Sequence, residues 1–258
     1  MATPDRAAAG GHWSDGYYGP LYLDSVVGLL GQRLSALEAT RIAELLGLRP
    51  GDRVLDLCCG AGRHARLLAG RVGWLLGLER SPEALALARA AQATAGAPAL
   101  LRADLRTLPL RAGAFDAVYS WYASLFMYDE AGNEAVLREA GRLLRRGGRL
   151  LVHHANPLAL ERNPLDTARR TLPDGGAVEE VSAFDPASGI DRCARRLRRP
   201  DGRTLEGTAE LRYYRPTEWG SLAERAGLRL TELTSTAPPR TGGAAEEAPD
   251  LIALLEKP

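Results

Sequence analysis

Val54-Leu-Asp-Leu-Cys-Cys-Gly-Ala-Gly-Arg-His-Ala65 is the stretch on which the reading of this chain turns. An apolar run passes into a Gly-x-Gly turn and then into a helical pattern. That order predicts a strand over Val54–Leu57 and a helix near Arg63–Leu68, with Gly60 and Gly62 letting a ligand approach the backbone. Gly60-Ala-Gly62-Arg-His-Ala65 also fits the relaxed dinucleotide fingerprint. A pyrophosphate, however, wants a helix N-terminus free of nearby carboxylates. Asp56 stands inside the strand end, which suits a cationic ligand, an ammonium or a sulfonium. The plain alternative is an aspartate that caps the turn.

Two further acids follow the same rule. Glu79 ends the run that begins at Trp74, where a carboxylate can accept from both hydroxyls of a ribose. Asp104 follows the run Leu100–Arg102, placed to accept from an adenine amino group while Leu105 covers the ring. Each alone reads equally as a solvated acid. Three acids after three successive strands, with a glycine turn at the first, form a pattern that ligand binding at strand ends explains.

Around these runs, Phe115–Ser120 and Arg149–His153 read as further strands. Helical patterns lie near Ser35–Leu46, Ser81–Ala95 and Asn133–Leu144. Ser81-Pro-Glu83 supplies a cap, a first-turn proline and an acid at the positive end of the helix dipole. Alternating strands and helices predict a parallel sheet with helices on both faces. Residues 155–175 read as irregular, with prolines at 157, 164 and 173. Three runs follow, Ala177–Phe184, Asp191–Arg199 and Thr204–Tyr214, separated by turn sequences, and predict an antiparallel meander. A helix over Thr217–Ala226 and runs at Leu228–Thr234 and Leu251–Glu256 complete the chain, with a polar, mobile loop expected over Pro238–Pro249.

Composition narrows the function. The 258 residues are 45% hydrophobic and 25% charged with net charge +1, an ordinary globular balance and no polycation. Lys257 is the sole lysine, so no P-loop or Schiff-base lysine sits in the body of the fold. Cys58, Cys59 and Cys193 make neither a disulfide framework nor a zinc site, and no metal is expected. No apolar run of membrane-spanning length and no leader-like start is present, so a cytoplasmic protein without membrane association is expected.

On these residues the chain resembles the class I, Rossmann-like S-adenosylmethionine-dependent methyltransferases. Val54–Gly62 looks like their glycine-rich first motif, Glu79 like their ribose acid and Asp104 like their adenine acid. Phe115-Asp-Ala-Val118 looks like their fourth motif and Leu143–Leu151 like the turn into their fifth strand. The resemblance covers about 52–155 well and 214–234 more weakly. The Cys-Gly-x-Gly-Arg-His form, the Asp-Pro-x-x-Gly and Pro-Asp-Gly-Arg hairpins and the segment around Glu218-Trp219 resemble bacterial small-molecule methyltransferases. The resemblance implies a seven-stranded sheet with strand seven antiparallel, and S-adenosylmethionine as cofactor. The expected organisation is an N-terminal arm over 1–35, a cofactor-binding core over 36–155, a meander inserted as a substrate lid over 156–214, and the rest of the core over 215–258.

The transferred methyl should lie over the end of the fourth strand, walled by Ser120, Trp121 and Tyr122. His153 and His154 end the fifth strand, where a histidine either serves as base or packs. His64 reads as structural, and His12 lies in the arm. Tyr17, Tyr18 and Tyr22 either close over the cofactor, with Tyr22 near the chemistry and Tyr18 on the cofactor, or pack an amphipathic arm. Arg63 can pair with a methionyl carboxylate. Seven of the fifteen aromatic residues, Phe126 and Tyr128 among them, fall in the two short stretches 17–22 and 121–128. With Tyr214 they suggest a small aromatic or amine-bearing acceptor, to which Tyr17, Trp121, Tyr122, Phe126 and Tyr214 would be the contacts. The arginines from Arg192 to Arg203 read as a charged meander edge and not as a nucleic-acid patch. Oligomerisation stays open, as does a second reading, a cofactor-binding protein on this scaffold with a cyclase-like or regulatory role and no methyl transfer.

Overall fold

The computed structural model describes residues 14–26, 30–92, 96–122, 125–236 and 248–258. His12 and most of Pro238–Pro249 lie outside the described residues. In chain order the elements are α1 (Ser14–Gly16), a π turn (Tyr17–Leu21), α2 (Tyr22–Val26), α3 (Gln32–Leu46), β1 (Arg53–Leu57), α4 (Arg63–Ala69), β2 (Trp74–Glu79), α5 (Pro82–Ala90), β3 (Ala99–Arg102), β4 (Phe115–Ser120), α6 (Glu130–Leu143) and β5 (Leu144–Ala155). Then come α7 (Pro157–Leu160), β6 (Leu165–Thr171), β7 (Ala177–Asp185), β8 (Ile190–Arg198), β9 (Thr204–Arg212), a 3-10 turn (Pro216–Glu218), α8 (Trp219–Arg225), β10 (Arg229–Thr234) and β11 (Asp250–Glu256).

Seven strands form one sheet in the order β10-β11-β5-β4-β1-β2-β3. Neighbours are parallel except that β11 runs antiparallel to both β5 and β10. This is the expected seven-stranded Rossmann-like sheet with its last strand reversed. Chain order steps outward from β1 in both directions, so the crevice at β1 and β4 is where ligands bind such sheets.

Strand alternation divides the core into two layers. Leu55, Leu57, Leu150 and Val152 pack with α6 and α8, and Val54, Ala117, Tyr119, Leu151 and Ile252 pack with α3 and α4. Local signals set the helix ends. The Ser81 hydroxyl accepts from Ala84 N at 3.1 Å ahead of Pro82, and Asp129 Oδ1 accepts from Gly132 N at 2.8 Å. The Asp129 cap starts α6 at Glu130, earlier than the predicted Asn133.

The insert differs from expectation. It is a four-stranded antiparallel sheet, β6-β7-β8-β9, because Leu165–Thr171, read as irregular, is a strand. It is an edge strand with nearly every residue exposed, so it carries no alternation of apolar and polar residues. The arginines of β8 meet acids across β9: Arg192 pairs with Glu210 at 3.0 Å and Arg196 with Glu206 at 2.7 Å, both at opposite register positions. Arg195 points to the other face, where it pairs with Glu180 and lies over the rings of Tyr17 and Tyr22 at 5.2 and 5.5 Å.

That inner face packs on the N-terminal arm, not on the crevice. Tyr17 and Leu21 form one core with Leu172, Val178, Leu197 and Ala209. The insert therefore covers the arm, and the arm covers the crevice, which revises the expected substrate lid.

Candidate functional site

A cleft of about 1160 Å³ opens at the carboxyl ends of β1, β2, β3 and β4 beneath the arm. Its first wall is the turn after β1. Cys58, Gly60 and Gly62 have φ of 63°, 53° and 72°, the left-handed region that favours glycine. A Cβ on Gly60 would meet no atom within 4 Å, so the backbone faces open space there. A Cβ on Gly62 would lie 3.3 Å from Ala88 Cβ, so this glycine lets α4 approach α5 closely.

Asp56 lines the cleft at 3% exposure, and its Oδ2 has no hydrogen-bond partner. Burial pushes its pKa up to about 8 against the pull of the Tyr119 phenol and Arg63, and the nearby Glu79 charge adds to the rise. Glu79 is held firmly. Its Oε2 accepts from Gly60 N at 3.0 Å, and its Oε1 accepts from Arg80 N at 2.7 Å and Ser81 N at 2.8 Å. Ser81, Pro82, Leu87, Ala103 and Leu105 line the space beyond Glu79. Asp104 is turned away: Arg106 donates to it in bidentate fashion at 3.0 and 2.7 Å, and those hydrogen bonds hold its carboxyl down at about 2.

The opposite end is built from α3, α4, the arm and the segment after β4. Tyr18, Tyr22, Trp121 and Tyr122 line it with Arg63 and Gln32. Arg63 donates to Ser35 Oγ at 3.2 Å and to the Glu38 carboxylate, and its guanidinium lies 5.1 Å over the Tyr122 ring. Glu38 also meets His64 Nε2 at 2.9 Å. Burial opposes its ionisation, yet the hydrogen bonds from His64 and Arg63 hold it down at about 2. His64, read as structural, lines the cleft, and burial lowers its pKa in spite of Glu38. Sequence reading missed Glu38. The available signal was an acid on the stripe of α3 that otherwise carries Ala39, Ile42 and Leu46 into the core.

Several predicted contacts lie elsewhere. Tyr17 faces the insert, with its hydroxyl 3.4 Å from Cys193 Sγ, because the arm is helical: Tyr17 and Leu21, four apart, share the face toward the insert, and Tyr18 and Tyr22, also four apart, line the cleft. Phe126 and Tyr214 pack edge to face with ring centroids 4.8 Å apart in the layer with α8. Ser120 is fully buried and lines no part of the cleft. Tyr22 lines it, but burial raises its phenol pKa against Arg195 and Arg63, so it offers a donor and not a base.

The two histidines of β5 separate by strand alternation. His154 has 0% exposure and stacks between Tyr213 and Trp219 at 5.8 and 5.4 Å. Burial pushes its pKa down to about 4. His153 points to the cleft side but sits behind Trp121, stacked at 4.4 Å and 12°. Both its ring nitrogens are engaged, Nδ1 with Tyr122 N at 3.1 Å and Nε2 with Asp250 Oδ2 at 3.0 Å. Neither histidine presents a free nitrogen to the cleft, so the expected base is not found on β5.

Comparison with known proteins agrees with this geometry. Residues 54–148 match a family model described as a methyltransferase domain. A 2-phytyl-1,4-naphtoquinone methyltransferase of Synechococcus elongatus is 41% identical over 102 residues, 37% of this chain and 42% of that protein. The match thus spans about two fifths of that relative's length. Among solved structures, the CcbJ methyltransferase from Streptomyces caelestis superposes with a TM-score of 0.77 at 22% identity, covering 94% of this chain and 98% of that one. The sugar N-methyltransferase KedS8 from a Streptoalloteichus species gives a TM-score of 0.67 at 21% identity over 100% of this chain and 99% of that one. Among the described residues no helix is long and apolar enough to cross a membrane. The strand order, the glycine turn with its acids and the family match together give residues 54–148 a methyltransferase domain on a seven-stranded Rossmann-like sheet.

Proposed function

We propose that this chain binds S-adenosylmethionine and methylates a small molecule. The observation that carries the reading is the two-ended cleft. At about 1160 Å³ it exceeds the space one ligand of that size fills, with strand-end acids at one end and rings at the other. The residues present fit the cofactor. Gly60 leaves room for close approach, Asp56 offers a buried carboxylate oxygen without a partner, and Glu79 is preset by three backbone donors. Glu79 takes the ribose hydroxyls and Leu105 the adenine face. Asp56 and Arg63 hold the amino-acid end. When bound, the cofactor would supply a sulfonium methyl for in-line transfer to the acceptor, the C–S bond breaking as a neutral thioether leaves.

The protein's own work is orientation and exclusion of water. Trp121, Tyr122, Tyr18 and Tyr22 wall the acceptor end with ring faces and phenol donors. A ring-bearing or amine acceptor suits such walls, and the similar proteins named for a naphthoquinone and a sugar are consistent with that class. Two measurements test the reading. Calorimetry should find S-adenosylmethionine bound more tightly than NADH. Incubation with methyl-labelled cofactor and a panel of phenols, amines and amino sugars should label at least one of them. Tighter NADH binding, or transfer to tRNA or DNA instead of the panel, would overturn it.

A further inference from the structure

The His153–Asp250 pair lies behind the acceptor end of the cleft, and its geometry points to a role that the pattern of the β5 histidines did not suggest. We infer that His153, oriented by Asp250, is a positioning residue: its Nδ1 accepts the Tyr122 N–H and so sets the Tyr122 ring as a wall of the acceptor site. This rests on the proposed function for what the wall contacts, but not for the hydrogen bonds themselves.

The protonation pattern follows from the donors. A backbone N–H can only donate, so the Nδ1 found 3.1 Å from Tyr122 N carries no proton. The ring proton is then on Nε2, which donates to Asp250 Oδ2 at 3.0 Å. Asp250 is itself fixed, since its two oxygens lie 3.2 and 3.3 Å from Thr236 N. It opens β11, and β11 runs antiparallel beside β5 with Ile252 opposite His153 and Asp250 opposite Ala155. Two-residue alternation puts Asp250, Ile252 and His153 on one face of the sheet, so the carboxylate reaches the ring diagonally.

Tyr122 needs such a hold. Its φ is 69°, a left-handed conformation uncommon for a side chain of this size. The residue is 42% exposed and lines the cleft. The contacts that keep this conformation include the N–H to His153, the His153 ring edge at 5.5 Å, the Arg63 guanidinium at 5.1 Å and a phenol hydrogen bond to Glu38. Trp121 closes the unit by stacking on His153 at 4.4 Å. Only a side chain with an acceptor on one edge and a donor on the other can link the Tyr122 backbone to Asp250.

The test uses three full-length variants. His153→Asn keeps an acceptor near the Nδ1 position, His153→Gln keeps a donor near the Nε2 position, and His153→Phe keeps only the stack on Trp121. With the acceptor found by the labelled panel, His153→Phe should raise KM for the acceptor about tenfold with kcat and cofactor affinity little changed. His153→Asn should recover most of that loss and His153→Gln should not. A fall in kcat of about a hundredfold or more at unchanged KM, with loss of one limb of the pH profile, would make His153 a base and overturn the proposal. Lower melting temperatures with unchanged KM in all three would make it merely structural and would also overturn it. If His153→Phe fails to fold, the contrast between Asn and Gln decides alone.

A readout free of activity comes from nitrogen NMR of the labelled wild type. It should show the Nε2–H form of His153 and a scalar coupling between Nδ1 and the Tyr122 amide. An Nδ1–H form would overturn the proposal even if methyl transfer is found. The Nε2–H form would sustain it even if transfer is not.

Discussion

Glu79 Oε2 lies 3.0 Å from Gly60 N, so the acid at the end of β2 holds the glycine turn that follows β1. The other oxygen of the same carboxylate bridges the N–H groups of Arg80 and Ser81 ahead of α5. One side chain thereby ties together the first two strand ends that form the cofactor end of the cleft. Glu79→Ala strips three backbone donors of their acceptor. Cofactor affinity should fall by about 1.5–3 kcal/mol and the melting temperature should fall with it. Wild-type affinity in calorimetry would refute the role of Glu79.

Asp56 should make cofactor binding depend on pH. Burial pushes its pKa up to about 8, so it is mostly protonated at neutral pH, and a cationic ligand favours the carboxylate. Binding at pH 7 should release a proton, and affinity should rise by up to about tenfold per pH unit until pH 8, then level. Calorimetry in buffers of different ionisation enthalpy measures the proton directly. Asp56→Asn should remove both the proton release and the pH dependence.

His154 is predicted to set an acid limit on stability. Its folded pKa is depressed to about 4, below the value near 6.5 of an unfolded chain. The unfolded state therefore binds the extra proton first, and stability is lost as pH falls from about 6.5 to 4. The loss should approach about 3 kcal/mol at the lower end. His154→Phe keeps the stack between Tyr213 and Trp219 and should flatten this limb in urea titrations at successive pH values.

Gly207 tests whether the insert acts through the arm. A Cβ there would lie 2.8 Å from Leu21 Cδ2 and 3.4 Å from Tyr17 Cδ2. Gly207→Val should push the arm off the insert and weaken cofactor binding by about tenfold, since Tyr18 and Tyr22 leave the cleft with it. Gly220, with nothing within 4 Å of its Cβ position, serves as the control substitution. Unchanged affinity in Gly207→Val would detach the insert from the site.

Trp121 and Tyr122 are adjacent but should respond differently. Trp121 is 5% exposed and packs with Tyr119 and Leu151 as well as on the cleft, so Trp121→Ala should cost about 3–5 kcal/mol of stability. Tyr122 is half-exposed, so Tyr122→Ala should leave urea stability within about 1 kcal/mol and raise KM for the acceptor. Equal stability losses would place Tyr122 in the core.

The sequence by itself determined the sheet and its cofactor end. Those features are local: apolar runs of strand length, a turn whose left-handed positions at Gly60 and Gly62 favour glycine, and Asp56 and Glu79 at strand ends. Tertiary structure decided the acceptor end, because its contacts join residues far apart in the chain. His153 meets Asp250 across 97 positions and Tyr122 across 31. Glu38 is buried on α3 because His64 and Arg63 come to it from α4, and no local pattern carries that pairing. The edge strand β6 is recognisable only by its pairing with β7, since solvent on nearly all sides erases the periodicity that marks a strand. Strand alternation then assigned the two β5 histidines to opposite faces, one behind the Trp121 and Tyr122 wall of the cleft and one to the layer with α8.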